Sequence, residues 1–311
     1  MADEEVAAKR AIGLTKYFNA VIFGHRDRKS AADANRFLEA LCAQEDVSKC
    51  VEQLIAAPKA LGAVGAAFRF SANTTFLNGP ATSTLHHLAH PSVKQLYAGQ
   101  FLHRVLEQIV EPPTFWNTFV EAHNARVLTH NGTHAFAWLL LELLHSRSDS
   151  LPDVRDIAHR VVNNEPLINS DSLEVRNLGY KIKHVLSSTS ADAVDSPGGR
   201  HDNDFADYRQ VKILPTPDEF ASTETPFYRR SNDIQAVEAG SRGLVHLNNQ
   251  FRLLQEDLLR ELRSDFQIAN GQKKGRRKTV LEDLQFLSIE CGQDNKRKPC
   301  SLKLEYASNV P

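Results

Sequence analysis

Apolar residues recur with a helical period from about residue 30 to residue 187. Phe37, Leu38, Leu41 and Cys42 stand at i, i+1, i+4 and i+5 and make one apolar face, behind a Ser30 suited to cap the helix start. Val51, Leu54 and Ile55 continue that face on a second helix, which should end before Pro58. Leu61 to Phe68 is rich in Ala and Gly and predicts a short helix packed at close range. Pro80, Pro91 and the Pro112-Pro113 pair punctuate the series that follows. Phe101, Leu102, Val105, Leu106 and Ile109 form one 3.6-period stripe, and Phe115, Trp116, Phe119 and Val120 form another. Ala135 to Leu144 is apolar on nearly every side, so it predicts a central, enclosed helix. Asp153 to Val162 and Leu173 to Leu186 close the run, whereas residues 1–30 show a mixed pattern.

Helices of about 10–15 residues joined by short turns predict a mainly α fold, an armadillo-like solenoid of stacked helical hairpins. That inference rests on helix length, because no strict internal repeat is present. Residues 1–187 are the expected helical region. Residues 188–245 form an irregular, turn-rich linker wrapping the surface: a polar break at 187–192, the Gly198-Gly199 turn, and an extended piece from Gln210 to Leu214. Residues 246–311 hold a long helix, a basic loop and the start of a small β element. The helix runs from Leu244 to Phe266, with Leu247, Phe251, Leu254, Leu258 and Leu262 as the stripe expected to anchor it on the helical body. Leu287 to Cys291 and Cys300 to Tyr306 read as strands, and the chain is expected to be truncated there.

Composition narrows the classes. The 311 residues carry a net charge of −1, so any attraction to nucleic acid is local rather than global. Cys42, Cys50, Cys291 and Cys300 show no zinc-ligand spacing and read as free thiols in a reducing compartment. The acidic N-terminus has no signal-peptide core, and the longest apolar run is too short to span a bilayer; the expected location is intracellular, nuclear or cytoplasmic, with the nucleus favoured.

Three clusters are candidates for chemistry. His201, Asp202, Asp204 and Asp207 offer a turn that bonds its own backbone and docks a neighbour, a contact to protein or RNA, or an oxygen-rich cation site. Lys273, Lys274, Arg276, Arg277 and Lys278, extended by Lys296, Arg297 and Lys298, read as a solvated loop, a phosphate-backbone contact or a nuclear import signal. His86, His87 and His90 share one helix with no carboxylate within a turn and read as surface or capping residues. Gly271 to Thr279 only imitates a phosphate-binding loop: its glycines stand four apart, Arg276 follows the second, and no strand leads in.

One longer pattern is more specific. Pro197-Gly198-Gly199-Arg200-His201-Asp202-Asn203-Asp204-Phe205 is followed by Ile213-Leu214-Pro215-Thr216, by Pro226-Phe227, and by Phe251-Arg252-Leu253-Leu254 with Glu256-Asp257. Over about residues 145–300 this order resembles superfamily 1 RNA helicases bearing zinc fingers of the nuclear X-box-factor type, in the region upstream of their helicase core. The resemblance implies a fungal parent in RNA silencing, antiviral defence and heterochromatin, with an RNA-dependent RNA polymerase complex as partner. It implies that Arg200, His201, Asp202, Asp204, Phe205, Phe251, Arg252, Glu256 and Asp257 serve docking. The helicase's nucleotide-binding motif and zinc fingers do not occur here. The expectation is therefore a non-catalytic scaffold without cofactor or metal, docking silencing proteins and RNA. A free-standing nucleic-acid module led by residues 273–278 is the alternative, and a hydrolase using the His201–Asp204 cluster stands third.

Overall fold

A computed structural model describes residues 2–26, 30–69, 73–146, 153–163, 166–187, 198–275, 285–290 and 301–305. The fold is mainly α. It divides into two compact units, Met1–Phe227 and Tyr228–Pro311.

The first unit opens on α1 (Ala2–Ile22), where the sequence pattern looked mixed. Its C-terminal turns place Tyr17, Phe18, Val21 and Ile22 on one face, all buried, and Phe18 stacks on Phe37 at 5.9 Å between ring centres. Helix α2 (Ala31–Cys42) begins at Ser30, whose hydroxyl accepts the Asp33 amide at 3.2 Å. Helix α3 (Val47–Ala56), capped by Asp46, stops before Pro58 as expected. Helix α4 (Ala60–Arg69) lies so close to α8 (Gln100–Val110) that a Cβ on Gly65 would meet the Gln108 carbonyl at 2.6 Å.

Pro80 does not end its helix. The chain runs continuously through α5 (Thr74–Phe76), a π-helical segment Leu77–Ala81, and α6 (Thr82–Leu88). Proline lacks an N–H and crowds the preceding turn, and widening that turn accommodates it. Two threonine hydroxyls bond backbone carbonyls of the same stretch: Thr82 Oγ1 donates to Leu77 O at 2.6 Å and Thr84 Oγ1 to Pro80 O at 2.8 Å. Next come α7 (Pro91–Gln95), α8 and α9 (Thr114–Asn124).

Helix α10 (His130–His145) is the enclosed one. Its residues 135–143 are buried without a break. It packs against α6 and α9 and against α11 (Val154–Asn163) and α12 (Leu173–Ser187). Phe136 sits at the centre, stacked on Trp116 at 5.8 Å and on His123 at 4.2 Å, with Phe119 edge-on at 5.4 Å. Glu142, also buried, faces the Lys94 ammonium in an ion pair.

In the second unit, α14 (Ser231–Gln235) packs on α15 (Ala239–Ala269), and two antiparallel strands follow, β1 (Gln285–Glu290) and β2 (Ser301–Glu305), with Gln285 opposite Glu305. Of the stripe expected to anchor α15, Leu247 is exposed by 52 %, Leu254 by 70 % and Leu258 by 44 %, while Phe251 and Leu262 are half-buried; Leu244, at the head of the helix, is exposed by 56 %. The buried residues are Asn249, Arg252 and Leu259, roughly a third of a turn around the helix. Arg252 Nε bonds Asn248 Oδ1 at 2.8 Å, and Asn249 Oδ1 accepts the Arg229 amide at 2.6 Å. The packed side of this helix thus combines satisfied polar groups with one leucine, Leu259.

Two stability predictions follow from burial. Leu254→Ala should shift unfolding by no more than about 0.5 kcal/mol, whereas Leu259→Ala should cost about 2–5 kcal/mol; denaturant titration of both variants separates them. Burial, aided by the nearby Arg126 charge, lowers the His123 pKa from 6.5 to about 4. The unfolded chain therefore takes up this proton before the folded one does. Stability is present above pH 6.5 and drains as pH falls toward 4, by on the order of 3 kcal/mol for this group. His86, His87, His134 and His145 are shifted in the same direction by burial. Thermal midpoints measured from pH 7.5 to pH 4.5 should fall, and His123→Leu should fall less.

Candidate functional site

Segment 198–224 belongs to the first unit and is built from turns and two short helices. Gly198 and Gly199 hold φ of +123° and +84°, and any Cβ there would strike the His184 ring or side chain on α12 at 2.7–2.8 Å. Only glycine allows both that backbone and that approach. The turn closes with Gly199 N bonding Asp204 O at 2.8 Å and Asp204 N bonding His201 O at 3.1 Å. Asp204 Oδ2 accepts both the Arg200 amide at 3.0 Å and Arg200 Nε at 2.8 Å, with the carboxylate almost wholly buried.

Asn203, 1 % exposed, is the hub. Its Nδ2 donates to Lys212 O at 3.0 Å and to Glu219 Oε2 at 2.6 Å, while its Oδ1 accepts the Lys212 amide at 2.7 Å. Glu219 also closes a capping box at the start of α13 (Pro217–Ala221): Thr216 Oγ1 accepts the Glu219 amide at 3.2 Å, and Glu219 Oε2 accepts the Thr216 amide at 3.3 Å. The Thr216 hydroxyl donates in turn to Asp202.

Two ion pairs tie this segment to α12. Arg176 grips Asp218 bidentately, Nε to Oδ2 at 2.9 Å and Nη2 to Oδ1 at 2.8 Å, and Tyr180 OH adds a bond to Oδ2 at 3.3 Å. Hydrogen bonding from Arg176 holds the Asp218 carboxyl below the usual carboxylate range, while burial and the Asp218 charge raise the Tyr180 phenol to about 12. Lys181 pairs with Glu224 at 2.7 Å.

Arg200, His201, Asp202 and Asp204 are thus brought together, but their polar atoms face one another and the backbone. Phe205 lies at the surface. Asp207 binds the exposed Arg209 rather than joining the cluster. Among the described residues no three His, Cys, Asp or Glu side chains converge to hold a metal ion. Residues 211–214 follow a 3₁₀ turn (Tyr208–Gln210) as a series of bends, not the extended piece expected from Gln210 to Leu214, and Ile213 and Leu214 are exposed. The sequence reading missed Arg176, Asn203 and Glu219. The Thr216-Pro217-Asp218-Glu219 string carried the signal for one of them, as a cap residue, an N1 proline and an N3 acid.

On α15, Arg252 is buried, Phe251 and Glu256 are half-buried and Asp257 is exposed. Lys273 and Lys274 are exposed beyond its end, with Lys273 Nζ donating to Ser264 Oγ at 2.8 Å. Arg276, Arg277 and Lys278, and Lys296, Arg297 and Lys298, lie outside the described residues, as do Cys291 and Cys300. The three histidines part company. His90 Nδ1 caps α7 through the Ser92 amide at 3.3 Å, as expected, whereas His86 Nε2 meets His134 Nδ1 on α10 at 3.2 Å, a contact between helices.

Among the described residues no helix is long and apolar enough to cross a membrane. Compared with known proteins, the chain matches no family model, no curated protein and no solved structure.

Asn203→Ala would leave the Glu219 carboxylate and the Lys212 backbone short of buried partners, at a cost of about 1–3 kcal/mol. Hydrogen exchange should show amides of residues 198–224 losing protection while those of α10 keep theirs. Uniform loss across the unit would mean that the segment does not fold as its own layer.

Proposed function

We propose that this chain is a non-catalytic helical scaffold that docks a helical protein partner through α15. One observation carries the reading: Leu244, Leu247, Phe251, Leu254 and Leu258 stand three, four, three and four residues apart, and the four leucines are 44–70 % exposed. That spacing is the seam of a two-helix coiled coil, and a large exposed apolar stripe marks an interaction surface. Of the flanking positions, Gly243, Asn248, Gln250 and Gln255 are uncharged and Asp257 carries one negative charge, which suits a partner that is neutral or basic at that point.

The same proposal takes the helical region as an armadillo-like stack. Its support is the packing order: α1 on α2 and α4, α4 on α8, α6 on α10, and α10 on α12. It also takes the scaffold as the N-terminal part of an RNA-helicase-like silencing protein, supported by the resemblance of residues 197–205, 213–216, 226–227 and 251–257. Proteins of an RNA-dependent RNA polymerase complex are the partners this reading names.

Leu247→Glu, Leu254→Glu and Leu258→Glu combined should leave the thermal midpoint within a few degrees of wild type and abolish co-purification with those proteins. A collapse of stability would place the leucines in the chain's own core. Unchanged co-purification would remove the seam from partner binding.

A second reading keeps RNA as a ligand, favoured by the exposed Lys273 and Lys274 at the head of the basic run. Single-stranded RNA affinity should then fall by about 0.7 log units per log of salt for each phosphate contacted. Replacing Lys273, Lys274, Arg276, Arg277 and Lys278 with Ser should flatten that slope; an unchanged slope would exclude the loop.

A further inference from the structure

Helix α9 ends in a way its sequence does not favour. The Arg126 amide bonds His123 O at 3.0 Å, and the Val127 amide bonds Ala122 O at 3.1 Å. That is a Schellman termination, with Arg126 at the position after the cap, in the left-handed region at φ +55°. Glycine fills this position at least cost, because a Cβ in left-handed backbone crowds the following carbonyl. The strain holds the Arg126 backbone, and with it the root of its side chain, at one rim of a cleft.

That cleft has a volume of about 540 Å³ and is walled by His123, Asn124, Arg126, Thr133, Asn169 and Ser170, among others. A second cleft of about 320 Å³ shares Asn124 and Pro166 as walls and adds Arg160. Neither Arg126 nor Arg160 makes an ion pair among the described residues, and no described carboxylate lines either cleft. The arginines on this chain that meet a carboxylate behave differently: Arg10 with Glu39, Arg176 with Asp218, Arg200 with Asp204 and Arg209 with Asp207 are all neutralised.

We propose that these adjoining clefts bind a small phosphate-bearing ligand, with Arg126 and Arg160 as its charge partners and the Asn124 amide and the Thr133 and Ser170 hydroxyls on the cleft walls as further donors. Guanidinium groups match oxyanions geometrically. Two guanidinium groups, together with the Asn124, Thr133 and Ser170 side chains, supply more donor groups than the two oxygens of a single carboxylate accept, which favours phosphate. Two cationic side chains on neighbouring clefts favour a ligand with more than one phosphate group. The volumes fall in the range of small-molecule sites.

Pyrophosphate is the probe, titrated calorimetrically into the full chain at low salt. Saturable one-to-one binding is expected. Arg126→Gly and Arg160→Gln should each weaken it at least tenfold. Arg126→Gly should at the same time raise the thermal midpoint in the absence of ligand, because the left-handed position then holds its preferred residue; that gain shows the lost binding is not lost folding. Lys273→Ser with Lys274→Ser should leave pyrophosphate affinity unchanged. The proposal fails if wild type shows no saturable binding, if both arginine variants bind as wild type does, or if the lysine variant abolishes binding.

Discussion

A helix that is apolar on every side can exist in water only if it is enclosed, and α10 sets that condition for the first unit. Its residues 135–143 form one unbroken buried run, so no face remains for solvent. The helices around it supply the cover, each with one apolar stripe turned inward: Phe115, Trp116 and Phe119 from α9, Leu85 and Leu88 from α6, Ile157 and Val161 from α11, Val175 and Ile182 from α12. The enclosure has a polar exception in Glu142. A carboxylate so buried is tolerable only beside a cation, and the Lys94 ammonium reaches it from α7 while keeping its stem partly in water. The histidines that line the same interior are kept neutral by burial, which couples the packing of this core to acidity.

The helical layer was legible in the sequence because its helices are amphipathic with a single partner side. Stripes such as Leu102, Val105, Leu106 and Ile109 are buried as their spacing implies, and the cap at Ser30 falls where a side-chain oxygen meets a free amide. Periodicity failed where a second force outranked it. Only the last turns of α1 carry a core stripe, so the averaged pattern over residues 1–30 hid the helix. Pro80 predicted a break, but a widened turn with two threonine hydroxyls absorbed it. On α15 the leucine period was read correctly and its burial was not. Asn249 and Arg252 sit buried with side-chain and backbone partners, and a buried polar group without partners is more costly than an exposed leucine.

The candidate chemistry was legible to a different depth. Sequence reasoning gathered His201, Asp202, Asp204 and Asp207 into one cluster; in the structure Asp204 pairs with Arg200 and Asp202 with Thr216, while Asp207 pairs with Arg209. That reading did not foresee how completely they would be consumed. Asp204 accepts two bonds from Arg200, Asp202 accepts from Thr216, and Asn203 bridges the turn to Glu219 and Lys212. The partners lie up to sixteen residues apart within the segment and, through Arg176 and Asp218, forty-two residues apart across it. Distances of that length have no local sequence signature. What residue identity could show was the demand for partners; only the fold shows which partner answers.

Reactive-looking residues and available residues are therefore not the same set here. An acid-rich motif that reads as a site is satisfied internally, and a satisfied carboxylate has little left to offer a ligand without surrendering a buried bond. Arg126 and Arg160 carry no motif and stand in unremarkable sequence, yet among the described residues neither meets a carboxylate, and both border open volume. Arg126 further holds a backbone conformation that glycine would adopt with less strain. Gly65, Gly198 and Gly199 are the contrasting case, each placed where a Cβ would collide. Where an imbalance of charge and an imbalance of backbone strain coincide at one cleft, the two together point to something outside the chain that completes the site.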